Sequence, residues 1–491
     1  MSAAEGGSIR RLARDVLIYG SGDLVLRAAA LLTLPIYSRL LEPDDFGVWS
    51  FLVTLTFLLN VVLVFGTDAA YGRYFFVSAD PRTRTVLTST ILLFVGGASL
   101  AVVLVLLPFS GSFSRWAFGS GENADLVAPA LATGPIAAVG VLLGQVLRND
   151  FRPAAFALQN AAAAVLGVAL SLYLVGIEDL GVKGVLIGSL VGTAALLPVR
   201  LWTARRFLAP VVSRDVLRRA LAFGLPLVPA AFAGWVFTVS DRIVLGKLAS
   251  YRELGLYTVA ASVASVLSFL IGPLGLAWSP HAVQAYERDA EEAARLYGRV
   301  LTYILLGFGL LAVAVTTFSR ELVDLLTPPD FERAWKAIGP LALGAVAYAT
   351  IQVTSAGISL RHRTSYIAAL AAGAAALNLA LNLAFVPVWG MLASAWATAI
   401  SSLALTVAYA LVARRLWPVR YEVRRSIVLA AWIVAFTVGA QLLPELDLAV
   451  AIPLKLAYCA AFVGALFASG GLDQRETRAL RTLPLLRQQR S

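Results

Sequence analysis

Charged residues are scarce in this sequence, and those present cluster between long stretches that carry none. Asp, Glu, Lys and Arg make up 14% of the 491 residues, whereas hydrophobic residues make up 59%. A soluble domain typically has about 25% charged residues. These features exclude a soluble globular protein and predict a membrane protein. Four uncharged stretches are each longer than the roughly 20 residues that a helix needs to cross a bilayer: 86–108, 153–177, 255–280 and 364–413.

Cysteine and histidine are nearly absent as well. The single cysteine, Cys459, has no disulfide partner in the sequence, and the two histidines, His281 and His362, lie far apart. Neither a disulfide framework nor a cluster of metal-ligating residues is therefore expected. We expect no cofactor and no metal.

The formal net charge of +11 does not indicate nucleic-acid binding, because the basic residues fall in short loops between apolar stretches. With the N-terminus in the cytoplasm, 29 of the 40 Lys and Arg residues lie inside, 9 lie outside, and Arg27 and Arg39 lie within the first predicted span, which is the positive-inside pattern. We therefore expect a multi-pass inner (cytoplasmic) membrane protein with both termini in the cytoplasm. The fourteen predicted spans are 16–41, 46–67, 86–108, 125–147, 154–176, 182–203, 217–240, 255–278, 298–318, 337–360, 365–386, 390–413, 426–443 and 448–469.

Similar short motifs recur at a nearly constant spacing of 208 or 209 residues. Residues 46–49 (FGVW) resemble residues 254–257 (LGLY), Gly181 matches Gly390, and the arginine pair 205–206 matches the pair 414–415. The repeated unit contains six helices, so both copies enter the membrane from the same side. The fold class we predict is an all-α polytopic membrane protein with two six-helix lobes related by a pseudo-two-fold axis along the membrane normal, with substrate bound between them.

This duplication divides the sequence into four predicted parts. The N-lobe covers 1–210, the C-lobe covers 211–417, two additional helices cover 418–471, and a basic cytoplasmic tail covers 472–491.

Several motifs near the predicted helix ends can be compared with known families: 39–47 (RLLEPDDFG), 241–246 (DRIVLG), 254–257 (LGLY), 377–382 (LNLALN), 387–390 (PVWG) and 395–398 (AWAT). These motifs resemble those of Wzx-type oligosaccharide flippases of the MOP (MATE-like) transporter superfamily, although the sequence departs from the family pattern at 391–394 (MLAS). The resemblance implies fourteen helices in two lobes and the flipping of polyprenyl-pyrophosphate-linked oligosaccharide by alternating access, for cell-surface polysaccharide biosynthesis. It implies membrane lipid and a polysaccharide polymerase or export machinery as further partners.

Polar side chains inside the predicted helices are candidates for substrate binding, because charges in a membrane are costly and usually functional. Arg27, near the middle of helix 1, either grips a phosphate or pairs with Asp23 one turn away. Arg73 either borders the N-lobe cavity or anchors helix 2 at the interface. Asn378 and Asn382 share one face of helix 11 and bind either sugar hydroxyls or a neighbouring helix. Weaker candidates of the same kind are Gln145, Gln159, Asn160 and Gln352.

Residues at helix ends are candidates for a gate or for loop anchors, with substrate contact as the alternative. Two prolines are expected to act as a hinge in helix 7 and a kink in helix 8, although proline is also common in the first turn of a helix. The candidates are Arg39, Asp68, Asp241, Arg242, Pro226 and Pro273.

Two other functions compete with the flippase. A cation-coupled MATE-like exporter of small molecules would favour a carboxylate deep in one lobe, and Asp23 is the only deep acid. A membrane glycan polymerase or acyltransferase would need a base or carboxylate at an outer loop, and neither histidine lies in one. We therefore expect a transporter rather than an enzyme.

Overall fold

The computed structural model describes residues 33–77, 80–119, 121, 123–361 and 363–469, which form helices and connecting turns without any strand. Residues 33–40 are helical. The helices of the first half are α1 (Pro43–Leu63), α2 (Thr67–Tyr74), α3 (Pro81–Leu106), α4 (Ser110–Phe118), α5 (Ala124–Asn149), α6 (Pro153–Gly176), α7 (Gly181–Ala195), α8 (Leu197–Ala204), α9 (Arg214–Gly224) and α10 (Val228–Leu248).

The second half continues in the same way. Its helices are α11 (Tyr251–Arg288), α12 (Ala290–Thr317), α13 (Ser319–Leu326), α14 (Trp335–Thr354), α15 (Ala356–Leu360), α16 (Thr364–Trp389), α17 (Met391–Leu416), α18 (Val423–Ala440) and α19 (Leu448–Ala468).

The spanning helices of the structure agree with the spans predicted from the sequence. Among the described residues, twelve helices are long and apolar enough to cross a membrane. A thirteenth is counted if Arg214–Leu227 and Ala231–Leu248, which meet at a bend of 46°, form one span. These thirteen coincide with every predicted span after the first, and most of the predicted span 16–41 lies outside the described residues. The all-helical, polytopic fold is therefore confirmed.

Local sequence signals explain where the long helices begin. Proline occupies the first turn of α1, α3 and α6, where its missing N–H costs no hydrogen bond. The Asp80 carboxylate accepts hydrogen bonds from the backbone N–H groups of Arg82 and Thr83 at the start of α3. The Asp289 carboxylate caps α12 in the same manner. Such caps satisfy N–H groups that have no partner within the helix.

The chain divides into two compact units. Unit 1 contains residues up to Ser262 together with Leu326–Phe331 and Ala371–Ser394, and unit 2 contains Val263–Leu325, Glu332–Leu370 and residues from Ala395 onward. The core of unit 1 includes Leu63, Tyr71, Phe75, Ile91 and Leu143. The core of unit 2 includes Trp278, Tyr297, Phe308, Ala349 and Trp417. The predicted lobe boundaries at 210, 417 and 471 stay predictions.

Within unit 1, α1 and α11 meet at glycines that are equivalent in the repeat. A Cβ atom added to Gly47 would overlap the carbonyl group of Tyr251, and one added to Gly255 would overlap the carbonyl group of Pro43. Pro43 and Tyr251, like Gly47 and Gly255, are separated by 208 residues, so the two overlaps are the same contact made in both directions. Reciprocal contact of this kind is what a two-fold axis produces.

Polar side chains extend this reciprocal contact on both sides of the glycines. The Ser50 and Thr258 hydroxyl groups, 208 residues apart and both buried, are 2.8 Å from each other. The Asp44 carboxylate lies 3.8 Å from the Arg252 guanidinium, and these positions have the same offset. Three pairs of equivalent residues along α1 and α11 thus touch one another, which places the axis of the predicted duplication between these two helices.

Candidate functional site

A polar cavity of unit 1 lies among α5, α6, α7, α8 and residues 33–37. Its volume is about 570 Å³, within the range of pockets that bind small molecules or parts of larger ones. Among the described residues that line it, none is acidic. The polar lining residues are Thr33, Tyr37, Arg148, Asn160, Ser189, Thr193 and Arg200.

Arg200 is the most unusual of these residues, because it is a cation inside a spanning helix. Its side chain belongs to the span Gly181–Phe207 and is only 8% exposed. The guanidinium donates from Nη2 to Asn160 Oδ1 at 2.7 Å and from Nη1 to the Gly140 carbonyl at 3.3 Å. Its Nε is buried and has no hydrogen-bond partner among the described residues. Among the described residues no acidic side chain pairs with Arg200, and a buried charge without a counter-ion is expensive, so this arginine is a strong candidate for binding an anion.

The helices around Arg200 are positioned by small residues and a proline. Pro198 lies in the first turn of α8 and ends α7 just before it. A Cβ on Gly192 would lie 2.5 Å from the Cα of Gly167, so α6 and α7 approach each other closely at these glycines. Small residues permit such approaches between membrane helices. α6 and α7 therefore pack closely together and form one side of the cavity.

Arg148 supplies a second cation to the cavity. It lies in the last turn of α5, and its guanidinium lies 5.2 Å from the centre of the Phe156 ring. A cation–π contact of this kind leaves the guanidinium charged. The cavity therefore has two positive charges and no negative one among its described lining residues.

Two of the predicted substrate residues, Arg27 and Asp23, lie outside the described residues. Their pairing and their phosphate contact stay predictions.

Asn378 and Asn382 are almost completely buried, at 1% and 0% exposure. The Asn382 amide donates to the Asn378 carbonyl at 2.9 Å and to its side-chain Oδ1 at 3.1 Å. The Ser394 hydroxyl donates to Asn382 Oδ1 at 2.6 Å. These bonds link α16 to α17, which favours the alternative in which the asparagines hold two helices together. Neither asparagine lines the Arg200 cavity.

Arg73 and Asp68 both lie on the short helix α2. The Arg73 guanidinium stacks 4.8 Å from the centre of the Phe223 ring, which fits the interface-anchor alternative. Asp68 lies in the first turn of α2. This turn follows Gly66, whose φ of +65° and close approach to Gly224 leave no room for a Cβ atom.

Arg39, Asp241 and Arg242 were predicted as loop or gate residues. The Arg39 guanidinium donates to the Pro35 carbonyl at 2.7 Å and reaches the Leu326 carbonyl at 3.4 Å. Asp241 is buried within α10, where it accepts a hydrogen bond from the Tyr257 hydroxyl and one from the Arg242 backbone N–H. Asp241 thus joins α10 to α11.

The two prolines have different surroundings. Pro226 lies in a 3₁₀ turn, Leu225–Leu227, at the 46° bend between α9 and α10. Pro273 lies inside α11, which continues beyond it to Arg288. The hinge and gate roles of these residues stay predictions.

Arg200 was not predicted as a site residue, because it lies close to the arginines that end the predicted span 182–203. One signal distinguishes it from those charges. Arg200 is flanked by apolar residues and lies five positions before the pair Arg205 and Arg206. Asn160, its partner, was identified only as a weaker candidate.

Comparison with known proteins identifies the family. A family model described as polysaccharide biosynthesis protein matches residues 12–285, and a MatE model matches residues 226–384. We found no significant match among curated proteins.

Solved structures of transporters share the fold at low sequence identity. A lipid II flippase MurJ in an inward closed conformation is 12% identical, with a TM-score of 0.73 over 92% of this chain and 99% of that chain. An inward-facing multidrug resistance MATE family transporter of the MOP superfamily is 16% identical, with a TM-score of 0.68 over 82% and 98%. A MOP superfamily transporter from Pyrococcus furiosus is 17% identical, with a TM-score of 0.56 over 83% and 95%.

The resemblance seen in the motifs is confirmed by these matches. Because the first family model covers more than half of the sequence, the chain belongs to the polysaccharide biosynthesis protein family and has the fold of the membrane transporters of the MOP superfamily.

Proposed function

We propose that this protein flips polyprenyl-pyrophosphate-linked oligosaccharide across the cytoplasmic membrane by alternating access, for cell-surface polysaccharide biosynthesis. The observation that supports this proposal is the cavity of unit 1, which has Arg148 and Arg200 and no acidic lining residue among those described. A pyrophosphate is the anionic part of such a lipid-linked substrate. A polysaccharide polymerase or export machinery is the partner that would use the flipped product.

The chemistry of the guanidinium supports an oxyanion ligand. Arginine has five N–H groups, and Arg200 donates two of them to Asn160 and Gly140, which leaves three. A planar fork of N–H donors matches two phosphate oxygens at once. The cavity of about 570 Å³ holds only part of a lipid-linked oligosaccharide. We therefore assign the pyrophosphate region to the cavity and the remaining glycan and the prenyl chain to the space outside it.

The two arginines of the cavity favour an anionic substrate over a cationic one. The carboxylate that a cation exporter would need, Asp23, lies outside the described residues. The fold alone does not decide this point, since exporters and flippases share it. The structure from Pyrococcus furiosus is itself described as a transporter whose reversed pocket polarity suggests a different function.

Alternating access is supported by the contact between α1 and α11. Elements that meet their own equivalents across a two-fold axis can separate symmetrically when two halves rock. At Gly47 and Gly255 the two helices pack backbone against backbone, with no interlocking side chain between them. We propose that this contact closes the outer end of the transport path and opens during transport.

The test is glycan export by cells that depend on this protein. Arg200→Gln should lower export at least tenfold at equal amounts of folded protein in the membrane, and lipid-linked oligosaccharide should accumulate on the inner leaflet. Arg200→Lys should recover little, because an ammonium lacks the planar fork. The matched control is Arg205→Gln, which removes the same charge from an exposed arginine of the same span. Export by Arg200→Gln equal to that of the control would overturn the proposal.

A further inference from the structure

Among the described residues, the side-chain partner of Arg200 is a neutral amide. Charged side chains inside a membrane pair with one another or with backbone carbonyls. Here the closest partner atom is Asn160 Oδ1, at 2.7 Å. Asparagine and aspartate have nearly the same shape, and both present an oxygen at this position. The difference between them is one negative charge beside the guanidinium.

Gly140 is the second residue that shapes this arrangement. Its carbonyl accepts from Arg200 Nη1 at 3.3 Å, and a Cβ atom on Gly140 would lie 2.9 Å from the same nitrogen. A side chain at position 140 would therefore push the guanidinium away from α5. Glycine and asparagine together orient Arg200 by hydrogen bonds alone, and neither neutralises it.

We infer that Asn160 determines the charge specificity of the cavity: it orients the Arg200 guanidinium without cancelling its charge, so that the positive charges of Arg200 and Arg148 select a diphosphate group. Asn160 acts through Arg200 and is a specificity-determining residue. An aspartate at position 160 would form a bidentate ion pair with Arg200 and occupy the donors that the diphosphate needs. This inference rests on the proposed function only in taking pyrophosphate as the ligand.

The inference can be tested on the purified full-length protein without transport. Titration calorimetry with inorganic pyrophosphate in detergent should show binding by the wild type that weakens with added salt. Asn160→Asp should weaken this binding at least tenfold, while its apparent Tm stays equal to that of the wild type or rises, because the new ion pair is satisfied. Asn160→Ala removes the hydrogen bond without adding charge and should keep binding within about threefold.

Two further variants make the test independent of folding. Gln159→Glu adds the same charge to the neighbouring residue of α6, which bonds Thr203 instead of Arg200, and should weaken binding less than Asn160→Asp. Gly140→Ala should weaken pyrophosphate binding by displacing the guanidinium, even if Asn160→Asp does not fold. Wild-type affinity in Asn160→Asp or in Gly140→Ala would overturn the inference, and so would equal losses in Asn160→Ala and Asn160→Asp.

Measuring both pyrophosphate binding and glycan export distinguishes a failure of this inference from a failure of the proposed function. Loss of pyrophosphate binding with unchanged glycan export would support the charge role of Asn160 and refute use of the cavity in flipping. Retained binding in Asn160→Asp with lost export would refute the charge role and leave the flippase proposal intact.

Discussion

The glycine contact between α1 and α11 gives a quantitative prediction about stability. In Gly47→Ala the new methyl group would overlap the backbone carbonyl of Tyr251, which has no side-chain freedom to move away. Overpacking typically costs about 1–3 kcal/mol, whereas exchanging glycine for alanine inside a helix gains up to about 1 kcal/mol. We therefore expect Gly47→Ala to destabilise the protein by roughly 1–2 kcal/mol. Gly255→Ala should cost about as much, because its methyl group overlaps Pro43 in the equivalent way.

The assay is thermal unfolding of the purified protein in one detergent at one scan rate, since unfolding of such proteins is often irreversible. The control is Gly97→Ala in α3, where nothing lies within 4 Å of the added Cβ atom, and this variant should be as stable as the wild type or slightly more so. The double variant Gly47→Ala with Gly255→Ala should cost less than the two single changes together, because both relieve strain by separating the same helices. If Gly47→Ala behaves like Gly97→Ala, α1 and α11 do not touch as described.

Three further predictions concern other parts of the chain. In a variant without the native cysteine, Ser50→Cys with Thr258→Cys should form a disulfide, since the two hydroxyl groups are 2.8 Å apart, and export should stop until a reductant is added; free export by the oxidised protein would refute the gate. Lys455→Met should destabilise unit 2 by about 2 kcal/mol, below the ~3–5 kcal/mol of a fully buried pair, because its partner Glu321 is 24% exposed; adding Glu321→Gln should restore part of the loss, as measured by Tm. Hydrogen bonds from Thr83 lower the pKa of Asp80 below its ordinary 3.8, so the stability that its charge contributes is present above about pH 4 and is lost as the pH falls through the folded-state pKa. The Tm advantage of the wild type over Asp80→Asn should therefore disappear in acid, and an advantage that persists there would contradict this account.

The spanning helices could be predicted from the sequence because a membrane imposes one rule along the whole chain. A helix must carry about 20 apolar residues to cross the bilayer, and every predicted span from 46–67 onward contains a helix of the structure. Breaks of the helix within a single span were harder to predict from the sequence. Pro198 separates α7 from α8 within the span 182–203, and apolar composition is the same on both sides of it.

The candidate site was harder to predict, because hydropathy identifies charges near helix ends only as interface residues. In the sequence, Arg200 lies close enough to the pair Arg205 and Arg206 at the end of the predicted span to be assigned to the same interface. Its burial depends on α5 and α6, which bring Gly140 and Asn160 from positions 60 and 40 residues away. Nothing in the local sequence around position 200 shows these contacts.

The predicted internal duplication shows how the residues around Arg200 differ between the two halves of the chain. With an offset of 209 residues, Arg200 corresponds to Tyr409, Asn160 to Ala369 and Gly140 to Ala349. Tyr409 is buried in unit 2 and donates its hydroxyl to the Ile367 carbonyl at 3.0 Å. The second half therefore has a neutral, internally satisfied side chain where the first half has an arginine. All three residues differ between the halves, so the second half lacks the arginine as well as the glycine and the asparagine that accept its hydrogen bonds. If the cavity binds an anion as proposed, the arginine is needed in the first half together with the carbonyl of Gly140 and the amide of Asn160 that orient its guanidinium. Under the proposed function, both halves of the duplication take part in the rocking motion, and these three positions give the ligand chemistry to the first half.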